Sequence, residues 1–459
     1  MRTFLLSFII CLCPFSMTAQ EQTDRLDKAY HQSAFELFNT LAQGEKANVC
    51  FSPLSLQIAL SMVQHGAANN TLLQIQKALG TEEFTVEQVG AYNQELISKL
   101  TARSPYDEEY FSGWGEGDPQ IIYDSYYPKC ELANSLWARP DVSLYSDFVQ
   151  ALSTYYDASM DHVAFDTWEG IGKINDWAAE HTHGLIPSIY HEPQSSALAV
   201  MLANALYFKG SWTYPFDKSL TEKGRFLLDD RQFVTVDMMS AHDKFPCAVT
   251  ESFNTVTLYY GRAFEFSMTI FVPREGTALP ALTLEDWVAS QHPSYVHVNL
   301  EVPHFDVAGN YELNAVLKKL GVTDAFDDKA DFSRMSERWL FISNVSQMSK
   351  IIVDEKGTEA AAITVIDMCD GMDMTPLEDY QDFHVDRPFY FTIQNSKANA
   401  LLFIGRVTSL NAPVSLLENG IASINSQPSA FRCYDLQGRP VFRIPNKGFY
   451  IQNGRKILK

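Results

Sequence analysis

One segment limits what this chain can become more than any other. It reads Asp354-Glu355-Lys356-Gly357-Thr358-Glu359-Ala360-Ala361-Ala362-Ile363-Thr364-Val365-Ile366-Asp367-Met368. In an extended chain alternate side chains project to opposite faces. One face then carries Thr358, Ala360, Ala362, Thr364, Ile366 and Met368, which are small at the start, apolar later and uncharged throughout. The other carries Glu359, Ala361, Ile363, Val365, Asp367 and Cys369, a mixed set with both acids. The segment is therefore competent to be a half-buried strand. Directly after it, Cys369-Asp370-Gly371-Met372-Asp373-Met374-Thr375-Pro376 combines Gly, Pro and acids and reads as an exposed loop. On pattern alone this describes an ordinary hairpin.

The surrounding chain reads as helices first and strands later. Helical patterns cover Asp24 to about Val63, with Ser52-Pro53 opening a second helix that ends near Gly66, then Thr71–Leu79 closed by Gly80, Tyr145–Tyr156 and Gly170–Thr182. Strand-like runs follow at Leu198–Phe208, Asn254–Leu258, Phe264–Val272, Val296–Val302, Leu340–Ile342, Ile351–Val353, Phe389–Ile393 and Leu401–Val407. That order implies an α+β fold around a large, mostly antiparallel central sheet. Residues 103–130 turn acidic and aromatic and read as a surface insertion. Beyond Asn411-Ala412-Pro413, residues 411–459 read as short strands with Gly turns and a basic balance, a small β-rich tail.

The first 20 residues carry one Arg, an apolar run of about 14 residues broken by Pro14, and small residues at its end, as a secretory signal peptide does. Export is therefore expected. The five cysteines outside that segment, Cys50, Cys130, Cys247, Cys369 and Cys433, are scattered and show no CxxC, which supports neither a disulfide framework nor a zinc site. The net charge of −21 repels phosphate backbones and anionic surfaces, so nucleic acid and heparin-type polyanions are not expected partners. Residues 104–128 contain no Lys or Arg.

Catalytic signatures are missing from the sequence: no HExxH, GxSxG or Gly-rich phosphate loop. His181-Thr182-His183 reads as a polar helix end rather than a metal site, and Asp327, Asp328 and Asp331 as a solvated turn rather than a calcium loop. No cofactor or metal is expected.

Several motifs together resemble one family. Glu355-Lys356-Gly357-Thr358-Glu359-Ala360-Ala361-Ala362 is similar to the hinge of the serpins. Asn48-Val49-Cys50-Phe51-Ser52-Pro53-Leu54-Ser55, Asn204-Ala205-Leu206-Tyr207-Phe208-Lys209-Gly210-Ser211-Trp212, Leu320-Gly321-Val322-Thr323-Asp324-Ala325-Phe326, Asp386-Arg387-Pro388-Phe389 and Phe403-Ile404-Gly405-Arg406-Val407 resemble family motifs in family order. The resemblance runs over residues 24–410. It implies the serpin fold with a reactive-centre loop at about 355–385. The implied activity is suicide inhibition of a serine, or cysteine, protease, whose acyl-enzyme is trapped when the loop inserts into the central sheet.

Carried over residue by residue, the resemblance makes Glu355, Gly357, Thr358, Ala360, Ala361 and Ala362 the hinge. Ser52, Ser55, Asn204 and Gln347 become the gate under the inserting strand, and Trp212 the breach. Gln347 stands where many serpins have His, and its amide is expected to bond groups such as Ser55 and Asn204. Counting from Gly357 puts the scissile bond at Gly371–Met372, with Asp370, Met372 and Met374 as other baits because the loop is long. No Arg or Lys lies between Lys356 and Arg387, which disfavours trypsin-like targets. A monomer is expected. The terminal Tyr434-Asp435-Leu436-Gln437-Gly438-Arg439 and Gly448-Phe449-Tyr450-Ile451 resemble bacterial C-terminal sorting domains of the type IX secretion route. Two readings from other classes stay open: a non-inhibitory serpin for binding or storage, and a secreted enzyme on the same scaffold.

Overall fold

The computed structural model describes residues 18–45, 47–102, 127–228, 231–358 and 380–410, together with the backbone of four short strands between 433 and 458. By contacts the chain divides into a unit Met1–Leu416 and a unit Leu417–Lys459.

Eight α-helices are described in the large unit: α1 (Ala19–Ala42), α2 (Pro53–Gln64), α3 (Asn69–Leu79), α4 (Val86–Thr101), α5 (Ser146–Tyr156), α6 (Trp168–His181), α7 (Leu284–Ser290) and α8 (Asn314–Lys319). Their starts follow local chemistry. Ser52 caps α2 by accepting from Ser55 N–H, with Pro53 in the first turn. Thr85 and Gln88 form a reciprocal capping box on α4. Gly80 closes α3 in the left-handed conformation.

The strands in chain order are β1 (Val49–Phe51), β2 (Lys129–Ala138), β3 (Ser159–His162), β4 (Val200–Ser211), β5 (Glu222–Leu227), β6 (Phe233–Val249), β7 (Phe253–Tyr260) and β8 (Phe266–Pro273). Then come β9 (Ser294–Pro303), β10 (Phe305–Glu312), β11 (Ser346–Asp354), β12 (Gly357–Thr358), β13 (Gln381–His384), β14 (Phe389–Asn395) and β15 (Ala400–Val407). A nine-stranded sheet runs β1-β15-β14-β8-β7-β6-β9-β13 with β5 on β6, and a six-stranded sheet runs β10-β11-β12-β4-β2-β3. All ladders are antiparallel except β13 on β9 and β2 on β3. The α+β fold with large, mostly antiparallel sheets is the one expected from sequence.

The six-stranded sheet is covered on both faces. Leu202, Leu206 and Phe208 of β4 pack into the main core with α2, whereas Ala203 and Ala205 point the other way, into a cluster with Trp137, Trp177 and Ala178 beneath α6. Side-chain alternation along one strand therefore feeds two cores.

Three of the differences from the sequence expectation border the insertion, the loop and the cleft. Leu340–Ile342 is not a strand: Leu340 is buried in the core and Ile342 makes a single N–H bond to Ala325 C=O, so the run is apolar because it packs, not because it pairs. Lys129 and Cys130 belong to β2, paired with Lys209 and Phe208, so the insertion ends before them. Gln381–His384 forms β13, which shortens the loop at its far end.

In the second unit, Cys433–Tyr434, Pro440–Val441, Phe449–Gln452 and Arg455–Leu458 form a four-stranded antiparallel sheet, β16 to β19, ordered β17-β16-β18-β19.

Candidate functional site

The two halves of the six-stranded sheet, β10-β11 and β4-β2-β3, are joined through one dipeptide. Gly357 pairs with Asp354 on one side and Ser211 on the other, and Thr358 with Val353 and Gly210. Away from this dipeptide no ladder links β11 to β4 among the described residues.

A tight turn delivers the dipeptide. The Asp354 carboxylate accepts from Lys356 N–H at 2.9 Å and Gly357 N–H at 3.2 Å. Gly357 has φ +150° and a Cβ there would lie 2.0 Å from Gly210 C=O, so only glycine lets the two backbones approach. Trp212 holds the turn from beside it. Its Nε1–H donates to Asp354 C=O at 2.9 Å, its backbone N–H to Lys356 C=O at 2.8 Å, and its ring stacks on Tyr260 at 4.4 Å. The hydroxyls of Tyr260 and Thr358, both buried, are 2.6 Å apart.

Glu355 is buried within the turn. Its Oε1 accepts from the Thr221 hydroxyl at 2.8 Å and lies 3.0 Å from His304 Nε2. Burial pushes the carboxyl up, but its own backbone N–H, Thr221 and His304 together outweigh burial and hold it below the usual carboxylate range.

Beyond the dipeptide the facing edges of β4 and β11 border a cavity of about 530 Å³, floored by α2 through Leu56, Leu60 and Val63 and walled by Val200, Leu202 and Met348. At its edge the Gln347 side chain accepts from Ser52 N–H at 3.0 Å and donates to Ser52 C=O at 2.7 Å. The expected bonds to Ser55 and Asn204 are not made. Ser55 N–H is spent on the Ser52 cap at 3.2 Å, and the Asn204 amide donates to Asn134 at 2.7 Å, while Asn134 donates to Tyr156 C=O at 2.8 Å. Asn204 Oδ1 remains buried without a partner.

The structure thus brings Glu355, Gly357, Thr358 and Trp212 together at one end of the cleft and Ser52, Gln347 and Asn204 around the other. Ala360, Ala361, Ala362 and the bait candidates Asp370, Gly371, Met372 and Met374 lie outside the described residues. Tyr260, Thr221 and His304 were not singled out from sequence, because each meets the hinge only through tertiary pairing.

The remaining candidates have local partners. His181 Nδ1 bonds Trp177 C=O at 2.8 Å and His183 Nε2 bonds Glu131 at 2.6 Å. Asp327 and Asp331 accept backbone N–H groups from Lys329 and Ser333. Cys50, Cys130 and Cys247 are free thiols, and burial pushes the first two up to about 12.

Comparison with known proteins gives a consistent picture. The family model described as Serpin (serine protease inhibitor) matches residues 28–410. Among curated proteins, Serpin B6 of Macaca fascicularis is 32% identical over 400 residues, covering 84% of this chain and 100% of its own. The leukocyte elastase inhibitor of Sus scrofa is 32% identical over 405 residues, with the same coverage of 84% and 100%. Among solved structures the thermophilic serpin tengpin in its native state superposes with a TM-score of 0.71 at 27% identity, covering 86% of this chain and 95% of that one.

Proposed function

This chain belongs to the serpin family, and from that premise we propose that it is a secreted suicide inhibitor of serine or cysteine proteases, trapping the acyl-enzyme by inserting its loop between β11 and β4. The observation that carries the reading is the Gly357–Thr358 dipeptide. It already pairs on both sides as a short strand, and among the described residues no ladder fills the rest of the gap between β11 and β4.

Continuing that antiparallel register assigns each loop residue its neighbours. Ala360 falls opposite Phe208 and Ile351, Ala362 opposite Leu206 and Ser349, and Thr364 opposite Asn204 and Gln347. Ile366 falls opposite Leu202. The face that enters beside the core residues of β4 is the uncharged one. Thr364 brings a hydroxyl to the orphaned Asn204 Oδ1, where a new hydrogen bond relieves a buried unpaired acceptor. Each ladder bond gained along the cleft adds about 1 kcal/mol net. Non-inhibitory binding or storage would need none of this complementarity.

Loop composition supports a target that cleaves after Met or another non-basic residue, and the relatives include proteins named leukocyte elastase inhibitor. The apolar N-terminus supports export, and the β-rich second unit supports a sorting role. The test is incubation with elastase, chymotrypsin, subtilisin, papain and trypsin. A denaturation-resistant complex with one of the first four, and mass spectrometry placing the cut between Asp370 and Met374, is expected. Cleavage by all of them without any complex would sink the reading.

A further inference from the structure

The net charge of −21 conceals two unlike parts. Residues 1–416 carry 28 Lys and Arg against 54 Asp and Glu, whereas residues 417–459, the second unit, carry seven against two. A charge reversal of that size between two parts of one chain points to a partner that only the smaller part can meet. That partner is anionic, and the larger part is repelled by it.

The sheet topology gathers the charge further. β17, β16, β18 and β19 lie side by side with every ladder antiparallel. The starts of β16 and β19 therefore share one end of the sheet with the finishes of β17 and β18. Arg432 directly precedes β16, Arg443 follows β17 by two residues, and Arg455 opens β19 with Lys456 after it. Each arginine is thus tied to that end by two residues of chain or fewer. The two acids are not: Asp435 follows β16 at the opposite end, and Glu418 stands 15 residues before Cys433.

Aromatic and apolar residues stand beside these cations. Phe431 and Phe442 precede Arg432 and Arg443 in sequence, and Ile451, paired with Lys456, follows Tyr450. Arginine meets phosphate through two parallel N–H bonds, and aromatic rings favour the boundary between lipid headgroups and acyl chains. Single-stranded nucleic acid would use both kinds of residue, but a chain proposed to be exported meets lipid first.

We propose that this end of the second unit docks on an anionic lipid surface, its arginines on headgroup phosphates and the neighbouring aromatic residues at the acyl boundary. The proposal needs neither the inhibitory reading nor an intact reactive loop. It gives the second unit a retaining role, distinct from sorting.

The test is sedimentation of the full chain with vesicles of phosphatidylcholine alone, and of phosphatidylcholine mixed equally with phosphatidylglycerol. Binding to the second and not the first is expected, falling steeply as salt is raised. Each cation at such a surface tightens binding about fivefold. Arg432→Gln/Arg443→Gln/Arg455→Gln should therefore weaken it about 100-fold. The matching Arg→Lys variant keeps the charge and should stay within about tenfold of the parent. Arg439→Gln/Lys447→Gln/Lys459→Gln removes as much charge from the opposite end and should cost less than about tenfold. No binding to either vesicle, equal binding to both, or equal loss from the two Gln variants overturns the proposal. So does binding to heparin or single-stranded DNA with none to the vesicles.

Discussion

The hydroxyl of Thr358 lies 2.6 Å from that of Tyr260, across 98 residues of sequence, and both are buried. Burial raises the Tyr260 phenol far above its ordinary value, so it stays protonated and available to this bond at every physiological pH. Tyr260→Phe and Thr358→Val should each destabilise the resting protein by about 1 kcal/mol or more, because each strands a buried hydroxyl. The double variant should lose less than the sum, and strict additivity in denaturant melts would show that the two hydroxyls do not interact.

Ala360→Arg should convert an inhibitor into a substrate. Thr358 already sits in the sheet with 1% exposure, so Ala360 is the next residue of the uncharged face in the register proposed for insertion, where an unpaired guanidinium would cost several kcal/mol. Each 1.4 kcal/mol added to the insertion barrier slows it about tenfold, which lets deacylation win. Glu359→Arg lies on the opposite face and should inhibit nearly normally. Equal trapping by both variants, read from complex yield on denaturing gels, would show that the alternation is wrong.

Nicking the loop between Asp370 and Met374 should raise the thermal midpoint by tens of degrees. The open edges of β4 and β11 would gain a strand, at about 1 kcal/mol per bond, and every kcal/mol moves the midpoint by a few degrees. Calorimetry before and after clean nicking decides this, and an unmoved midpoint would mean that the cleft stays empty.

His65 predicts an acid-side loss of stability. Burial holds its imidazole down to about 4, with a smaller opposing pull from Glu87. The unfolded chain takes up a proton below about pH 6.5 while the native chain does not, so stability falls as pH drops from 6.5 towards 4 and then levels. The full effect is roughly 3 kcal/mol. His65→Gln should flatten that part of the profile in urea melts across pH, and an unaltered slope would place the proton uptake elsewhere.

Local signals carried much of the fold. Ser52-Pro53 announced α2 because a cap and a first-turn proline act within four residues, and Gly80 marked the end of α3 for the same reason. The uncharged face from Thr358 onward could be seen because strand alternation is a property of the chain itself. What could not be seen was set by distance. The Val86–Thr101 helix was missed, and Leu340–Ile342 looked like a strand because burial against a core and pairing in a sheet leave the same apolar mark. Gln347 has amide partners of equal chemistry in Ser52, Ser55 and Asn204, and only the native packing selects Ser52. His304 and Thr221 converge on Glu355 from separate strands and turns, with no spacing that sequence could reveal.

β14 lies between β8 and β15, and β15 between β14 and β1, both almost wholly buried. A cut between Thr358 and Tyr380 would therefore break the chain without dividing the molecule. The distal fragment supplies two inner strands and would stay clamped in the nine-stranded sheet, released only by a denaturant. Were the residues after Leu410 held by a surface or a partner, a cut molecule would keep its place there after the covalent path had been severed.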